Sequence, residues 1–241
     1  MSTSLTLTEL REKISHLADK KQAAILSRFF KTGPGEYGEG DIFLGIKVPL
    51  TRSLAREGRD LPFLDLETLL ESPLHEERLL ALLILVHQFQ KGGEDRQREI
   101  FLFYLNHTDR INNWDLVDLS APHILGAYLY DHDKRIPRRL IRSKDLWERR
   151  LAVLASLYFI RRGVFMETLR IAEMLLGDPE DLIHKAVGWM LREVGKRDPE
   201  TAEGFLRSHY HKMPRTMLRY AIEQFPEEKR LGYLKRPGGL V

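Results

Sequence analysis

The 241-residue sequence contains no cysteine, which excludes disulfide bonds and metal sites built from thiolates. Long hydrophobic runs are also missing. The longest, LLALLILV at 79–86, has eight residues, whereas a helix that crosses a bilayer needs about 20. The opening segment MSTSLTLTELREK lacks the basic and apolar regions of a secretory signal. We therefore expect a cytoplasmic protein that does not associate with a membrane.

Net charge is low as well, at +3, but the positive charge is concentrated in one stretch of the chain. Ten Lys or Arg residues and only two acids, Asp145 and Glu148, lie between Lys134 and Arg162, which gives a local charge of +8. A field of this kind suits a polyanion such as the backbone of a nucleic acid. The alternative is a solvated surface that acids elsewhere in the fold balance.

Several segments carry apolar residues at three- and four-residue spacing, which is typical of amphipathic helices. Between them lie breaks rich in Gly, Pro, Asn and Asp. No run of alternating β-branched residues is long enough to predict a strand, so the sequence predicts an all-α protein. The predicted helical segments are 7–31, 75–91, 94–105, 146–162, 166–177 and 181–196.

The helical segments recur at a spacing of about 36 residues, close to one helical hairpin per repeat. This spacing predicts an α-solenoid of tandem helical hairpins, whose concave face suits a long ligand better than a small one. No linker composition divides the chain, so we expect one domain over 1–241. The predicted starts lie near His75, Ile111, Trp147, Ile183 and Met217.

Two short motifs suggest ligand sites that their surroundings do not support. GPGEYG at 33–38 fits the dinucleotide-binding pattern G-x-G-x-x-G, but the segment before it is helix-like and Glu36 would repel a pyrophosphate. We expect a structural turn there. HYH at 209–211 would place its two imidazoles on diverging sides of a helix, and no third ligand lies nearby. We predict neither a metal site nor a cofactor.

The motif WDLVD at 114–118 places an indole and two carboxylates within a largely apolar, helix-like stretch. Trp114 and Asp118 are four residues apart and therefore share one face of a helix. Pro122 would leave the carbonyl of Asp118 without its usual N–H donor, so we expect the helix to kink or end there. The alternative is structural: Asp115 or Asp118 caps a helix or pairs with an arginine.

Four motifs in this order and spacing resemble the AlkD family of alkylpurine DNA glycosylases. The resemblance extends from about Gln22 to Phe225. Members of that family are all-α proteins of tandem HEAT-like repeats, so the resemblance implies the same fold that the periodicity predicts. The motifs are GEYGEGDIFLGIKVPLTRSLA (35–55), WDLVD (114–118), WERRLAVL (147–154) and KAVGWMLRE (185–193).

The resemblance also implies roles for individual residues. Asp118 matches the catalytic aspartate of the family, Trp114 and Trp189 match the two tryptophans of its site, and Arg150 matches an arginine that contacts the DNA backbone near the lesion. Arg149 is the adjacent alternative to Arg150. The position of Lys47 holds Gln in some members, which leaves its role open. The candidate DNA contacts are basic residues in or near these motifs: Arg149, Lys47, Arg142, Lys144, Lys185 and Arg192.

The function that the resemblance implies is hydrolysis of the N-glycosidic bond of cationic N3- or N7-alkylated purines in duplex DNA. Family members act without flipping the base into a pocket and without a cofactor. We expect a monomer that binds double-stranded DNA and, in a bacterium, associates with the nucleoid. Two alternatives stay open: a DNA-binding solenoid without catalysis, and a scaffold that binds other proteins.

Overall fold

The structure is a computed structural model that describes residues 4–133 and 135–235. Contacts within the chain divide it into two compact units, Met1–Ile124 and Leu125–Val241. The predicted all-α class is confirmed: in the part of the chain that the structure describes, helices predominate and β pairing is limited to one isolated bridge between Ile42 and Leu74. The expectation of one domain over 1–241 stays a prediction.

The first unit contains helices α1 to α7 and a 3₁₀ turn at Thr108–Arg110, and the second contains α8 to α15. A π-helical turn, Pro122–Gly126, lies across the boundary between them in the sequence. The helices of the first unit are α1 Leu7–Leu17, α2 Lys20–Phe29, α3 Val48–Glu57, α4 Phe63–Leu70, α5 His75–Lys91, α6 Glu94–Asn106 and α7 Trp114–Ser120. Those of the second are α8 Ala127–Asp131, α9 Arg138–Ile141, α10 Leu146–Ile160, α11 Met166–Met174, α12 Asp181–Gly195, α13 Pro199–His209, α14 Arg215–Ala221 and α15 Glu227–Leu234.

Alternate helices pack side by side within each unit. In the first unit α5 lies between α3 and α7, and in the second α12 lies between α10 and α14. The intervening helices α4, α6, α11 and α13 pack against this layer. The predicted repeat starts fall within three residues of the starts of α5, α7, α10, α12 and α14. Each unit therefore has the packing expected of stacked helical hairpins.

Helix α5 lies at the centre of the first unit and is buried around most of its circumference. Every residue from His75 to Leu85 is buried, as expected for a helix that is covered on all sides. Its first four residues, HEER, are charged or polar and yet less than 9% exposed. Since buried charges need partners, this end of α5 must bind polar groups from other segments.

The prediction of one helix over 7–31 was wrong, because the chain breaks at Ala18 and Asp19 and forms α1 and α2. Asp19 caps α2: its Oδ1 accepts hydrogen bonds from the backbone N–H groups of Lys21 and Gln22. Gly45 packs directly against this break. A Cβ atom at Gly45 would lie 2.2 Å from the carbonyl oxygen of Asp19, and its φ of +89° also favours glycine.

The segment between α2 and α3 forms successive turns, as predicted for GPGEYG. The carboxylates of Glu36 and Glu39 accept hydrogen bonds from the backbone N–H groups of Gly33 and Gly35. The two acids therefore stabilise the turns from within. Across residues 4–133 and 135–235, no helix is both long enough and apolar enough to cross a membrane.

Candidate functional site

Helix α7 carries Trp114 and Asp118 one turn apart, and both side chains are half-buried. Asn113 caps the helix, since its Oδ1 accepts a hydrogen bond from the N–H of Trp114 at 2.8 Å. The helix ends at Ser120, and Pro122 begins the π-helical turn. The predicted end of the helix near Pro122 is therefore confirmed, and its cause is the missing N–H of proline.

The indole of Trp114 is supported by the end of α2. It stacks on the buried ring of Phe30, with centroids 4.9 Å apart and an interplanar angle of 7°. Phe29 meets the indole edge-on at 5.8 Å and is 62% exposed. This contact could not be predicted, because SRFFK fits a helix end and lies more than 80 residues before Trp114.

The first acid of WDLVD is held by a buried histidine. Nε2 of His75 lies 2.9 Å from Oδ2 of Asp115, and Nδ1 lies 3.0 Å from Oδ2 of Asp41. An ionised carboxylate only accepts hydrogen bonds, so both ring nitrogens donate and the imidazole is charged. Burial lowers the pKa of His75, but the charges and hydrogen bonds of the two aspartates outweigh it and raise that pKa to about 9.

Two further residues complete what we call the His75 network: Asp41, His75, Arg78, Asn113 and Asp115. Asp41 accepts hydrogen bonds from Nδ2 of Asn113 at 2.8 Å and from the guanidinium of Arg78. Burial raises the pKa of Asp41, but the hydrogen bond from His75 and the charge of Arg78 hold it below its usual range. Asn113 therefore connects the network to the cap of α7, and Asp115 has a structural role through His75 rather than through the helix cap or the arginine considered above.

Asp118 lies one turn beyond this network. Burial is the main reason that the pKa of Tyr104 is raised, and the negative charge of Asp118 raises that pKa further. The hydroxyl of Tyr104 lies 2.7 Å from Oγ of Ser120, on the last residue of α7. The half-buried carboxylate of Asp118 and the indole of Trp114 therefore sit on a helix that is held at both ends.

Lys47, a candidate DNA contact, is exposed and lies directly before α3. A second buried acid, Glu76, holds the loop that precedes Lys47. Glu76 accepts hydrogen bonds from the backbone N–H groups of Gly45 at 2.8 Å, Ile46 at 3.1 Å and Leu44 at 2.9 Å. The start of α5 thus places both this loop and α7. The only sequence signal for these roles was HEER, a polar group that opens a helix with an otherwise apolar first half.

In the second unit, Trp189 is half-buried on α12, next to a close contact with α14. A Cβ atom at Gly188 would lie 2.5 Å from the carbonyl oxygen of Met217. The basic residues one turn on either side of Trp189 both pair with acids. Lys185 lies 2.7 Å from Asp181, and Arg192 pairs with Glu223.

The two adjacent arginines of α10 are both buried. Nε of Arg149 lies 2.6 Å from Oδ2 of Asp178, and its Nη1 donates to the carbonyl oxygens of Ser143 and Lys144. Nη1 of Arg150 donates to the carbonyl oxygen of Leu182 at 2.7 Å, which connects α10 to the first turn of α12. A DNA contact by Arg149 stays a prediction, and the structure places its guanidinium in a protein-internal pair.

Helix α10 separates exposed basic residues at the two ends of the stretch 134–162. Arg142 and Lys144 are exposed before α10, whereas Arg161 and Arg162 are exposed after it. Helix α10 has 15 residues, which separates these pairs by about 22 Å. The guanidinium of Arg162 lies 3.4 Å from the ring centroid of Tyr158. Lys134 lies outside the described residues.

The candidate site residues divide between the units. The structure places Trp114 and Asp118 together on α7 of the first unit. In the second unit it connects Arg150 to the start of α12, the helix that carries Trp189. Of the remaining candidates, Lys47, Arg142 and Lys144 are exposed, Lys185 and Arg192 are half-buried, and Arg149 is buried.

Comparison with known proteins gave a family match and matches to four solved chains, two of which are described below. The sequence model of a family described as DNA alkylation repair enzyme matches residues 10–225. A structure described as a predicted DNA alkylation repair enzyme from Enterococcus faecalis is 18% identical, with a TM-score of 0.68 over 87% of this chain and 97% of that one. The structure of smu.31 from Streptococcus mutans UA159 is also 18% identical, with a TM-score of 0.52 over 89% and 94%. At this identity the two structures show the fold alone, and no curated protein matches the chain.

Proposed function

This chain belongs to the family of DNA alkylation repair enzymes, and we propose that it is a DNA N-glycosylase that releases cationic N3- or N7-alkylated purines from duplex DNA. The observation that carries the proposal is that the two acids of WDLVD have different surroundings. Asp115 is buried and bonded to His75, whereas Asp118 is half-buried one turn from Trp114. One acid of the motif positions the helix, and the other lies on the same face of α7 as the indole, where we assign it the chemistry.

The proposed reaction uses the positive charge of the lesion itself. Alkylation at N3 or N7 makes the base cationic, so the base leaves with the electron pair of its bond to C1′. Positive charge then develops on the deoxyribose, and the carboxylate of Asp118 stabilises it and accepts a proton from the attacking water. The products are the free alkylated base and an abasic site. No cofactor is required, because the base is already a good leaving group.

Trp114 contributes the face of its indole to the same step. An electron-rich aromatic face attracts a cation, and the developing sugar cation is the proposed partner. The stacked ring of Phe30 and the edge of Phe29 restrict the orientation of the indole before substrate binds, so little of its freedom is lost on binding. We assign Trp189 the same role from α12.

The proposed DNA contacts act by charge. Arg150 and the exposed Lys47, Arg142 and Lys144 would bind phosphates. Lys185 and Arg192 would exchange their acid partners for phosphates. We assign Arg149 to positioning, because it binds the carbonyl groups of the segment that carries Lys144.

We further propose that a monomer acts from the backbone side, without flipping the base into a pocket. Enzymes that flip a base stack it between aromatic or apolar side chains in a fitted pocket. The cavity that borders the end of α7 has a volume of about 220 Å³ and is lined largely by basic and aliphatic side chains. That lining does not suit an alkylated purine with a positive charge.

The test is base release from a duplex with one 7-methylguanine, with abasic sites detected by alkaline strand cleavage. Wild type should release the base, and Asp118→Asn should reduce the single-turnover rate by about 10²- to 10⁴-fold. Asp109→Asn, at an exposed acid in the same unit, is the charge-matched control and should retain the rate. Duplex binding without release by wild type would instead identify a DNA-binding protein without glycosylase activity.

A further inference from the structure

The ring of His75 belongs to a ring stack that ends at the indole of Trp114. His75 lies on Phe43, with centroids 4.4 Å apart and an interplanar angle of 24°. Phe43 stacks on Phe30 at 4.8 Å and 26°, and Phe30 stacks on the indole as described above. His75 is therefore connected to the indole by a path of rings that does not pass through α7.

A second path from His75 to the indole does pass through α7. Nε2 of His75 lies 2.9 Å from Oδ2 of Asp115, the residue that directly follows Trp114. Asp115 is also three residues before Asp118, so this hydrogen bond fixes the turn that carries both candidate site residues. One imidazole thus supports the indole from its backbone through Asp115 and from its face through the ring stack.

Both paths depend on the charge of the imidazole. The protonated ring donates from both nitrogens, to Asp41 and to Asp115, and a cation is attracted to the face of an aromatic ring such as Phe43. A neutral imidazole donates from one nitrogen only. Deprotonation would therefore remove the hydrogen bond of one buried carboxylate and weaken the contact with Phe43.

The charged groups around His75 favour the protonated ring. Asp41 comes from the segment between α2 and α3, Asp115 comes from α7, and Arg78 of α5 pairs with Asp41. Glu76, the next residue on α5, accepts its hydrogen bonds from backbone N–H groups. The side chains of His75 and its two aspartates are at most 6% exposed, so solvent screens their charges little.

We propose that His75 is a positioning residue for base release and that its protonated ring holds the indole of Trp114 in the orientation that the reaction needs. His75 acts through Asp115 and Phe43 rather than by contact with the sugar or the base. The inference rests on the proposed glycosylase activity, but the placement of the indole can be measured without it. Because the pKa of His75 is raised to about 9, the placement should be lost as pH rises through that value.

The first measurement follows the indole directly. In a Trp147→Phe/Trp189→Phe background Trp114 is the one remaining tryptophan, and its emission and acrylamide quenching are recorded between about pH 6.5 and 10. The quenching constant should rise in one step near pH 9, because an indole that loses its support becomes more accessible. Far-UV circular dichroism should stay constant over the same range, since the helices are retained.

Three variants in this background identify the origin of the step. His75→Gln should show higher quenching at pH 7 and no step, because the amide is neutral at every pH. Phe43→Leu removes the ring path but keeps the charges, so it should raise quenching at pH 7. His107→Gln is the matched control and should behave like the parent. His107 also lies on a ring, Phe103 of α6 at 4.2 Å, and near an acid, Glu67 of α4 at 3.3 Å.

The second measurement is single-turnover release of 7-methylguanine from the duplex by proteins with all three tryptophans. The rate of wild type is divided by that of His75→Gln at each pH, so that any titration of the substrate cancels. The ratio should be about 10 to 100 at pH 7, since a misplacement of about 1 Å can cost that much, and should approach 1 near pH 10. Duplex affinity should not change, and His107→Gln should give a ratio near 1 throughout.

Several results would overturn the inference. Wild-type quenching without a step, or a step that His75→Gln retains, would show that the charge of His75 does not place the indole. A rate ratio that is constant with pH would show that His75 only supports the fold. If His75→Gln does not fold, unchanged quenching in Phe43→Leu would refute the ring path.

Failure of the proposed function gives a different result. Wild type that releases no base at any pH would refute the glycosylase activity, and with it a role for His75 in base release. The quenching step would still establish whether His75 places Trp114. A step that His75→Gln abolishes would then support the placement alone.

Discussion

Helices α7 and α12 each carry one tryptophan of the candidate site, yet different forces hold them in place. Helix α7 has seven residues and is tied through Asp115 and its cap Asn113 to the buried charges of the His75 network. Helix α12 has 15 residues, an extensive apolar face and close backbone contact with α14 at Gly188. The apolar face of α7 is short, so charged partners contribute to its placement in addition to packing.

Because charged hydrogen bonds hold α7 and apolar packing holds α12, the two helices respond to different perturbations. Hydrogen bonds between charged groups are directional, so they fix the rotation of a short helix as well as its position. They also depend on protonation. Apolar packing depends on volume and shape and is indifferent to pH. Charged hydrogen bonds therefore place Trp114 in the first unit, and apolar packing places Trp189 in the second.

The largest effect should come from His75→Leu, which removes the shared donor and leaves Asp41 and Asp115 buried without it. Breaking a buried ion pair from one side costs about 3–5 kcal/mol. Urea denaturation should show a loss of this size in the free energy of unfolding. His87→Leu, at a half-buried histidine of the same helix, is the matched control. A similar loss in both variants would show that the network does not hold α7.

The next effect is a pH dependence that needs no mutation. The pKa of His75 is raised from 6.5 to about 9, so its contribution is complete below pH 6.5 and is lost as pH rises through about 9. The charges that face it are Asp41 and Asp115, with Arg78 bonded to Asp41. The free energy of unfolding should fall by up to about 3 kcal/mol between pH 6.5 and 10.

His75→Leu should lack this alkaline loss, and a variant that keeps it would place the titrating group elsewhere. The contribution of Asp41 to stability depends on pH in the opposite direction. Because its pKa is lowered, its contribution is present above pH 3.8 and is lost as pH falls below that value. Urea denaturation across the pH range separates the alkaline loss of stability due to His75 from the acid loss due to Asp41.

The smallest effect should come from the packed helix. In Gly188→Ala the new Cβ would lie 2.5 Å from the carbonyl oxygen of Met217, a backbone atom that cannot rotate away. We expect a loss of about 1–3 kcal/mol, independent of pH. Gly204→Ala in α13 meets no atom within 4 Å and should stabilise by up to about 1 kcal/mol through helix propensity. A stabilising Gly188→Ala would mean that α12 and α14 have room to separate.

The features that could be predicted from sequence are those that local pattern determines. Helix α5 begins and ends where its periodicity does, and Pro122 ends α7 as expected. The break at Asp19 was missed because apolar spacing continues across it, although an aspartate can cap a helix there. Counting charges along the chain also ignores the length of α10, which separates the exposed arginines at its two ends.

The local arrangement of the candidate residues was predicted in part, and their roles stay predictions. The shared helix face of Trp114 and Asp118 follows from their four-residue spacing, but the structural role of Asp115 depends on His75, 40 residues away. Phe30 and Glu76 were missed for the same reason, since their roles arise only when distant segments meet. Periodicity reports which residues are buried and carries no information on which buried groups are partners.

The His75 network also determines whether the candidate site could be transferred to another protein. Its hydrogen bonds join Asp41 and Asp115 to a histidine 34 and 40 residues away, and the short α7 would not form in isolation. In folding, the face with Trp114 and Asp118 can become ordered only after both intervening loops close. Grafting WDLVD onto another helical protein would transfer the five residues without the partners that position Trp114 and Asp118. The smallest transplantable unit is discontinuous: the 41–46 loop, the first turn of α5 and residues 113–120.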